Sequence, residues 1–185
     1  DLGLLHFFLG IEFNKLDHGM MIHQTKFIKQ LLHDYDLDDA TPVSSPLPPQ
    51  VKLLPNMDNP LPDATIYRQL IGKLNFLLHT RPDLAFSVQH LSQFNQAPSQ
   101  KHYSAAIHVL KYIKGTISQA LYFNDNKDFK LDAFCDSDWA ACPITRKSVS
   151  GYYILFGGSP ISWKSKKQST ISLSSAEVEY RSMRR

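Results

Sequence analysis

Two apolar periods succeed one another along this chain, and the change falls just after Gly115. Near the start, short apolar runs at 4–13 and 20–23 flank Asp17-His18-Gly19. Glycine after polar residues is a hairpin signal, so two strands are expected there. From Thr25, a candidate cap, the spacing turns helical. Phe27, Ile28, Leu31, Leu32 and Tyr35 form one stripe of a helix over 26–37. Its acidic end (Asp34, Asp36, Asp38, Asp39) opposes the helix dipole and should fray. Asp63 caps a helix with Tyr67, Leu70, Ile71, Leu74, Leu77 and Leu78 on one face. Thr80-Arg81-Pro82-Asp83 breaks it, and Pro82 suits the first turn of the next helix. That helix carries Leu84, Ala85, Val88, Leu91 and Phe94. Ser99 caps another, with Ala106, Val109, Leu110 and Ile113 inward and Gly115 just past its end. Three amphipathic helices with short joins predict a small bundle.

After Gly115 the period becomes two. Residues 120–124, 129–136, 148–157 and 160–167 read as strands, and Ser174 or Ser175 caps a helix beginning AEVEYRSM. The expected class is α+β or α/β. Between the first helix and the bundle, residues 41–62 hold Pro42, Pro46, Pro48, Pro49, Pro55, Pro60 and Pro62. Proline fixes φ and lacks the ladder donor, so this stretch reads as an extended linker and the clearest internal boundary.

Composition narrows the class. Of 185 residues, 43% are apolar and 20% charged, which argues for a folded chain rather than a disordered one. There is no apolar run of the ~20 residues a spanning helix needs. The first thirteen residues lack a basic leader and a cleavage site, so no signal peptide is expected. The missing initial Met and the helix at the end read as a fragment of a longer polypeptide. Two cysteines, Cys135 and Cys142, do not make a disulfide framework, and a reduced intracellular setting is expected. Eight histidines are scattered and read as structural. The net charge of +3 is uneven. Residues 1–99 have seven Lys+Arg and ten Asp+Glu, net −3; residues 100–185 have thirteen and seven, net +6. From Asp138 to Glu177 the only charges are Arg146, Lys147, Lys164, Lys166 and Lys167, an arrangement suited to a polyanion.

The carboxylates that bound this basic stretch are the candidate chemistry. Asp136 and Asp138 stand two apart at a strand end and share a face if the strand persists. Such a pair repels unless a proton or cation intervenes, and Mg2+ is a common solution. Glu177 and Glu179 lie ~200° apart on a helix, so only one can face the strand. The plain alternative is a turn Asp and a Glu that favours a helix N-terminus. Asp132 reads as part of a solvated edge. Trp139 and Trp163 are either buried aromatics or base-stacking platforms. Lys164, Lys166 and Lys167 are either a solvated strand end or phosphate contacts.

At this point the sequence resembles the Pol polyprotein of copia-type retrotransposons across essentially its whole length. The matching segments are LGLLHFFLGIEF, YRQLIGKLNFLLHTRPDLAFSV, HVLKYIKGT, FCDSDWAACPITRKSVSGYYILFGG and ISWKSKKQSTISLSSAEVEY. The resemblance implies three parts. Residues 1–23 would end a reverse-transcriptase palm, with Phe8, Leu9 and Gly10 as a primer-grip-like turn. Residues 24–116 would be a thumb-like helical region containing the Pro-rich linker 41–62. Residues 117–185 would begin a truncated ribonuclease H-like mixed sheet with its helix. It implies RNA-directed DNA synthesis and cleavage of RNA in RNA–DNA hybrids for the parent. Asp136 and Glu179 would be catalytic metal ligands, Asp138 a further possible ligand, and Mg2+ or Mn2+ the cofactor. Arg146, Lys147, Lys164, Lys166 and Lys167 would contact nucleic acid. The implied partners are the hybrid, an RNA template, a DNA primer and the rest of the polyprotein, with no membrane. The implied setting is a cytoplasmic particle and the nucleus. The family's paired polymerase Asp and later ribonuclease H carboxylates are not in these 185 residues, and Arg184-Arg185 departs from the apolar continuation expected of the last helix. The fragment is therefore expected to be inactive alone. The rival expectation is a non-catalytic retroelement remnant that binds nucleic acid or a partner.

Overall fold

The computed structural model describes residues 3, 5–48, 53–55, 59–142 and 144–184. Two compact units separate: residues up to 15 with 21–121, and 16–20 with those from 122 on. The expected first strand is broken. Strands β1 (Phe7–Phe8) and β2 (Ile11–Leu16) pair antiparallel around Leu9-Gly10, where both residues have positive φ, 49° and 82°. Gly10 also needs its hydrogen, because a Cβ there would lie 2.8 Å from the Phe76 ring. Strand β3 (Gly19–His23) follows the Asp17-His18 turn as expected.

Helix α1 (Thr25–Asp34) ends three residues before the expected limit. Thr25 does not cap it; its hydroxyl meets His23 Nδ1 at 2.9 Å. The acidic end does not fray. Asp36 takes a positive φ of 54°, the Leu37 N–H donates to Leu32 O at 2.9 Å and the Asp36 N–H to His33 O at 3.1 Å. This is a Schellman stop, and it tucks Leu37 into the core.

Helices α2 (Ala64–Leu77), α3 (Ala85–Ser92) and α4 (Gln100–Gly115) make the expected bundle, with a 3-10 turn over Pro82–Leu84 before α3. Asp63 Oδ1 accepts the Thr65 N–H at 2.7 Å. Ser99 and His102 cap α4 reciprocally. Tyr67, Leu74, Leu84, Val88, Val109 and Ile113 are wholly buried where the stripes meet. Gly115 is the last helical residue rather than a left-handed stop, and a Cβ there would lie 3.0 Å from Pro42 Cβ. The Pro-rich stretch is not a free linker in its described parts. Leu53 is buried, Leu47 and Leu61 pack on the core, and the Leu61 N–H donates to Pro98 O at 3.0 Å. Prolines set the backbone, but the leucines between them have apolar surface to bury. Pro49 lies outside the described residues.

Strand β4 (Leu121–Asn124) extends the first sheet, in the order β1-β2-β3-β4, rather than joining the later strands. Gly19 permits this, since a side chain there would strike the Phe123 carbonyl. The second sheet is β5 (Leu131–Asp138), β6 (Val149–Phe156) and β7 (Ser159–Lys167), in that order. It is antiparallel throughout, not mixed, because short connections join consecutive strands. Gly157 and Gly158, both at positive φ, make the β6–β7 turn. Helix α5 (Ser175–Met183) begins at Ser174, whose hydroxyl accepts the Glu177 N–H. Its nine residues span ~13 Å, enough to bury Val178 but not Leu131 or Met183.

Candidate nucleic-acid interface

Cross-strand register sorts the second sheet into two faces. Ala133, Cys135 and Ser137 oppose Ile154, Tyr152 and Ser150, which in turn oppose Ser162, Lys164 and Lys166. Helix α5 lies over this face. The Gln168 side chain donates from Nε2 to Ser150 Oγ at 2.8 Å and to Val178 O at 3.4 Å. Ser182 and Met183 share a cavity of about 320 Å³ with Ala133, Cys135, Tyr152 and Ile154, and Phe134 also borders it. Alternation puts Asp132, Phe134, Asp136 and Asp138 on the other face, out of phase by one residue.

This phase decides the carboxylates. Asp136 and Asp138 share a face, as expected, and both are exposed. Glu179 is half-buried on α5, which seats Val178 and Ser182 against the opposite face. Register therefore puts the Asp136 side chain on the face of β5 turned away from the one that seats Val178 and Ser182. Among the described residues no three His, Cys, Asp or Glu side chains converge where an ion could be held. The described residues thus bring together no divalent-metal centre. Glu177 has a different task. It accepts the Leu173 N–H at 2.8 Å and pairs with Arg181 at 2.5 Å; chiefly the Leu173 bond holds its carboxyl below the usual range. Asp132 pairs with Lys130 at 2.8 Å on the solvated side.

The basic residues fall into two groups. Lys164 and Lys166, two apart on edge strand β7, are exposed beside α5, and neither has a carboxylate partner among the described residues. Lys167 points away from them, and its ammonium donates to Cys142 Sγ at 2.9 Å. Arg146 and half-buried Lys147 sit on the loop that carries this cysteine, which is closed by Cys142 N–H to Lys147 O at 3.0 Å. Burial pushes the Cys142 thiol up. Hydrogen bonds from Lys167, the Thr145 hydroxyl and the N–H groups of Thr145 and Ile144 outweigh it and bring the pKa down to about 6. Trp139 is half exposed, with its indole N–H fixed on Ser172 O at 3.0 Å; Trp163 lies 6.3 Å from the Tyr153 ring. In the other unit, Phe8 and Leu9 are exposed at the β1–β2 turn, 56% and 75%, and Lys26 lies over the neighbouring Phe7 ring.

Sequence reasoning missed the thiol–ammonium pair and the Gln168–Ser150 link. Cys142 and Lys167 are 25 residues apart, and no spacing rule joins them. It also read Arg81 only as part of a helix break. Arg81 is 1% exposed, bidentate with Asp83, bonded to Thr116 and placed over the Tyr112 ring. The Arg-Pro-Asp order was the available signal.

The architecture defines a two-unit α+β polypeptide with a basic sheet edge. Among the described residues no helix is long and apolar enough to cross a membrane. The chain is 38% identical to the retrovirus-related Pol polyprotein from transposon RE1 of Arabidopsis thaliana, over 97% of its length. It is 32% identical, again over 97%, to that from transposon TNT 1-94 of Nicotiana tabacum. An uncharacterized mitochondrial protein of Arabidopsis thaliana is 39% identical over 99% of this chain and 76% of its own length. The chain belongs to the copia-type retrotransposon Pol family. It spans 12% of the RE1 polyprotein and 14% of the TNT 1-94 polyprotein. No protein-family model and no solved structure matches it.

Proposed function

We propose that this chain joins the end of a reverse transcriptase to the start of a ribonuclease H domain, and that its own task is to hold nucleic acid rather than cut it. The observation that carries this reading is Lys164 and Lys166, side by side on an edge strand without a carboxylate partner among the described residues. The net +6 of residues 100–185 supports it, since phosphate contacts dominate affinity for nucleic acid. In this reading Phe8, Leu9 and Gly10 lie at the primer side, and the partner of the basic edge is an RNA–DNA hybrid. Recognition is by backbone shape, without base preference. Asp136 faces away from the side of β5 that seats α5, and no cleavage step is assigned to this chain. The test is fluorescence anisotropy with a labelled RNA–DNA hybrid, run beside a gel assay for hybrid cleavage with Mg2+. Binding without cleavage is expected. Failure to bind, or robust Mg2+-dependent cleavage that Asp136→Asn abolishes, would overturn the reading.

A further inference from the structure

We propose that the cavity beside α5 on the β6–β7 face is a phosphate site, held by the Lys164 and Lys166 ammonium groups and the Ser150 hydroxyl. Only the choice of a nucleic-acid phosphate as its ligand rests on the reading above. The cavity is about 360 Å³ and is lined by Ser150, Gly151, Tyr152, Lys164, Lys166 and Ser182. That is ample for a phosphate group with its waters. Register sets Lys164 opposite Tyr152 and Lys166 opposite Ser150, so the four side chains occupy the corners of one patch.

Hydrogen-bond accounting gives the cavity its sign. Ser150 is 7% exposed, and its Oγ accepts from Gln168 Nε2 and from Ser137 Oγ, each at 2.8 Å. A hydroxyl has two lone pairs, so with both engaged its proton remains to be donated. The arrangement is rigid. Gln168 is 1% exposed, its Nε2 also reaches Val178 O, and its Oε1 accepts from Ser172 Oγ at 3.3 Å. Gly151, between Ser150 and Tyr152, lends only backbone to the cavity wall, since alternation turns its Cβ position to the Asp136 face. Among the described residues no carboxylate lines the cavity. Two ammonium groups and an oriented O–H around an acid-free hollow match an oxyanion and would repel a metal ion. Lysines that merely protect a sheet edge from pairing would show no such preference.

The test is a two-dimensional amide NMR titration of the whole chain with inorganic phosphate at constant ionic strength, repeated with a 5′-phosphorylated thymidine dinucleotide. Saturable shifts at Ser150, Gly151, Lys164 and Lys166 are expected. Lys164→Gln with Lys166→Gln should weaken them by about tenfold or more, the loss expected for charge-assisted hydrogen bonds. Lys127→Gln, on the β4–β5 loop, should leave them unchanged. If phosphate moves none of these amides while the hybrid still binds, the phosphate site falls and the nucleic-acid reading stands. If the shifts survive the double lysine variant, the site also falls.

Discussion

Cys142 and Arg81 show what single residues contribute in each unit. The Cys142 thiol, held near a pKa of about 6, should alkylate with iodoacetamide along a profile centred there, followed by peptide mass spectrometry to separate it from exposed Cys135. Lys167→Met should move the midpoint up towards the ordinary ~8.5, and a wild-type midpoint already there would refute the pairing. Between those values the folded chain binds fewer protons at this site than the unfolded chain. Its contribution to stability is therefore full above ~8.5 and is lost as the pH falls through about 6. Arg81 poses the opposite problem, a charge almost wholly buried with a partly exposed partner. Asp83→Ala should cost about 3 kcal/mol in urea unfolding, because it strands that charge. A loss under about 1 kcal/mol would mean that Thr116 and the Tyr112 ring suffice.

Among the elements, α4 depends most visibly on its capping residue. The Ser99 hydroxyl accepts the His102 N–H, and His102 Nδ1 accepts the Ser99 N–H at 2.9 Å. Burial lowers the His102 pKa, which keeps the ring neutral and able to accept. Ser99→Ala should therefore cost about 1 kcal/mol, measured as a shift in the circular-dichroism melting curve. No shift would mean that the 4.0 Å stack of His102 on Phe94 holds the helix start alone. Helix α5 meets its sheet differently. Val178 and Ser182 seat it, and the Gln168 amide ties its backbone to Ser150. That seating fixes which face of β5 is covered and leaves Asp136 on the other.

For the whole molecule, charge is the property that binding reads. If the basic edge contacts phosphates, log affinity for the hybrid should fall linearly with log salt concentration. Replacing both Lys164 and Lys166 with Ala should reduce the slope by about 2, at ~0.9 per phosphate contact. An unchanged slope in the anisotropy titration would place the contacts elsewhere, with Arg146 and Lys147 the next residues to replace.

Much of the element plan was legible in the sequence. The stripes through Tyr67, Leu74, Val88 and Ile113 predicted the bundle, because a helical period commits one face to burial. Asp63 and Ser99 were readable as caps, because their hydrogen bonds close within three residues. The copia-type resemblance was legible for the same reason, being carried by contiguous segments. The proline count misled where packing overrode it, since Leu47, Leu53 and Leu61 find a core that no local pattern reveals. The candidate site was legible only as a set of residue types. Lys164, Lys166 and Lys167 read as one basic run, and strand alternation with a cysteine 25 positions away split them. Asp136 and Asp138 read as sharing a strand face, and only packing decided that α5 seats Val178 and Ser182 on the other one. Local structure follows from neighbours in the chain, but which side of a strand meets which helix depends on long-range packing, and only the tertiary structure fixes that.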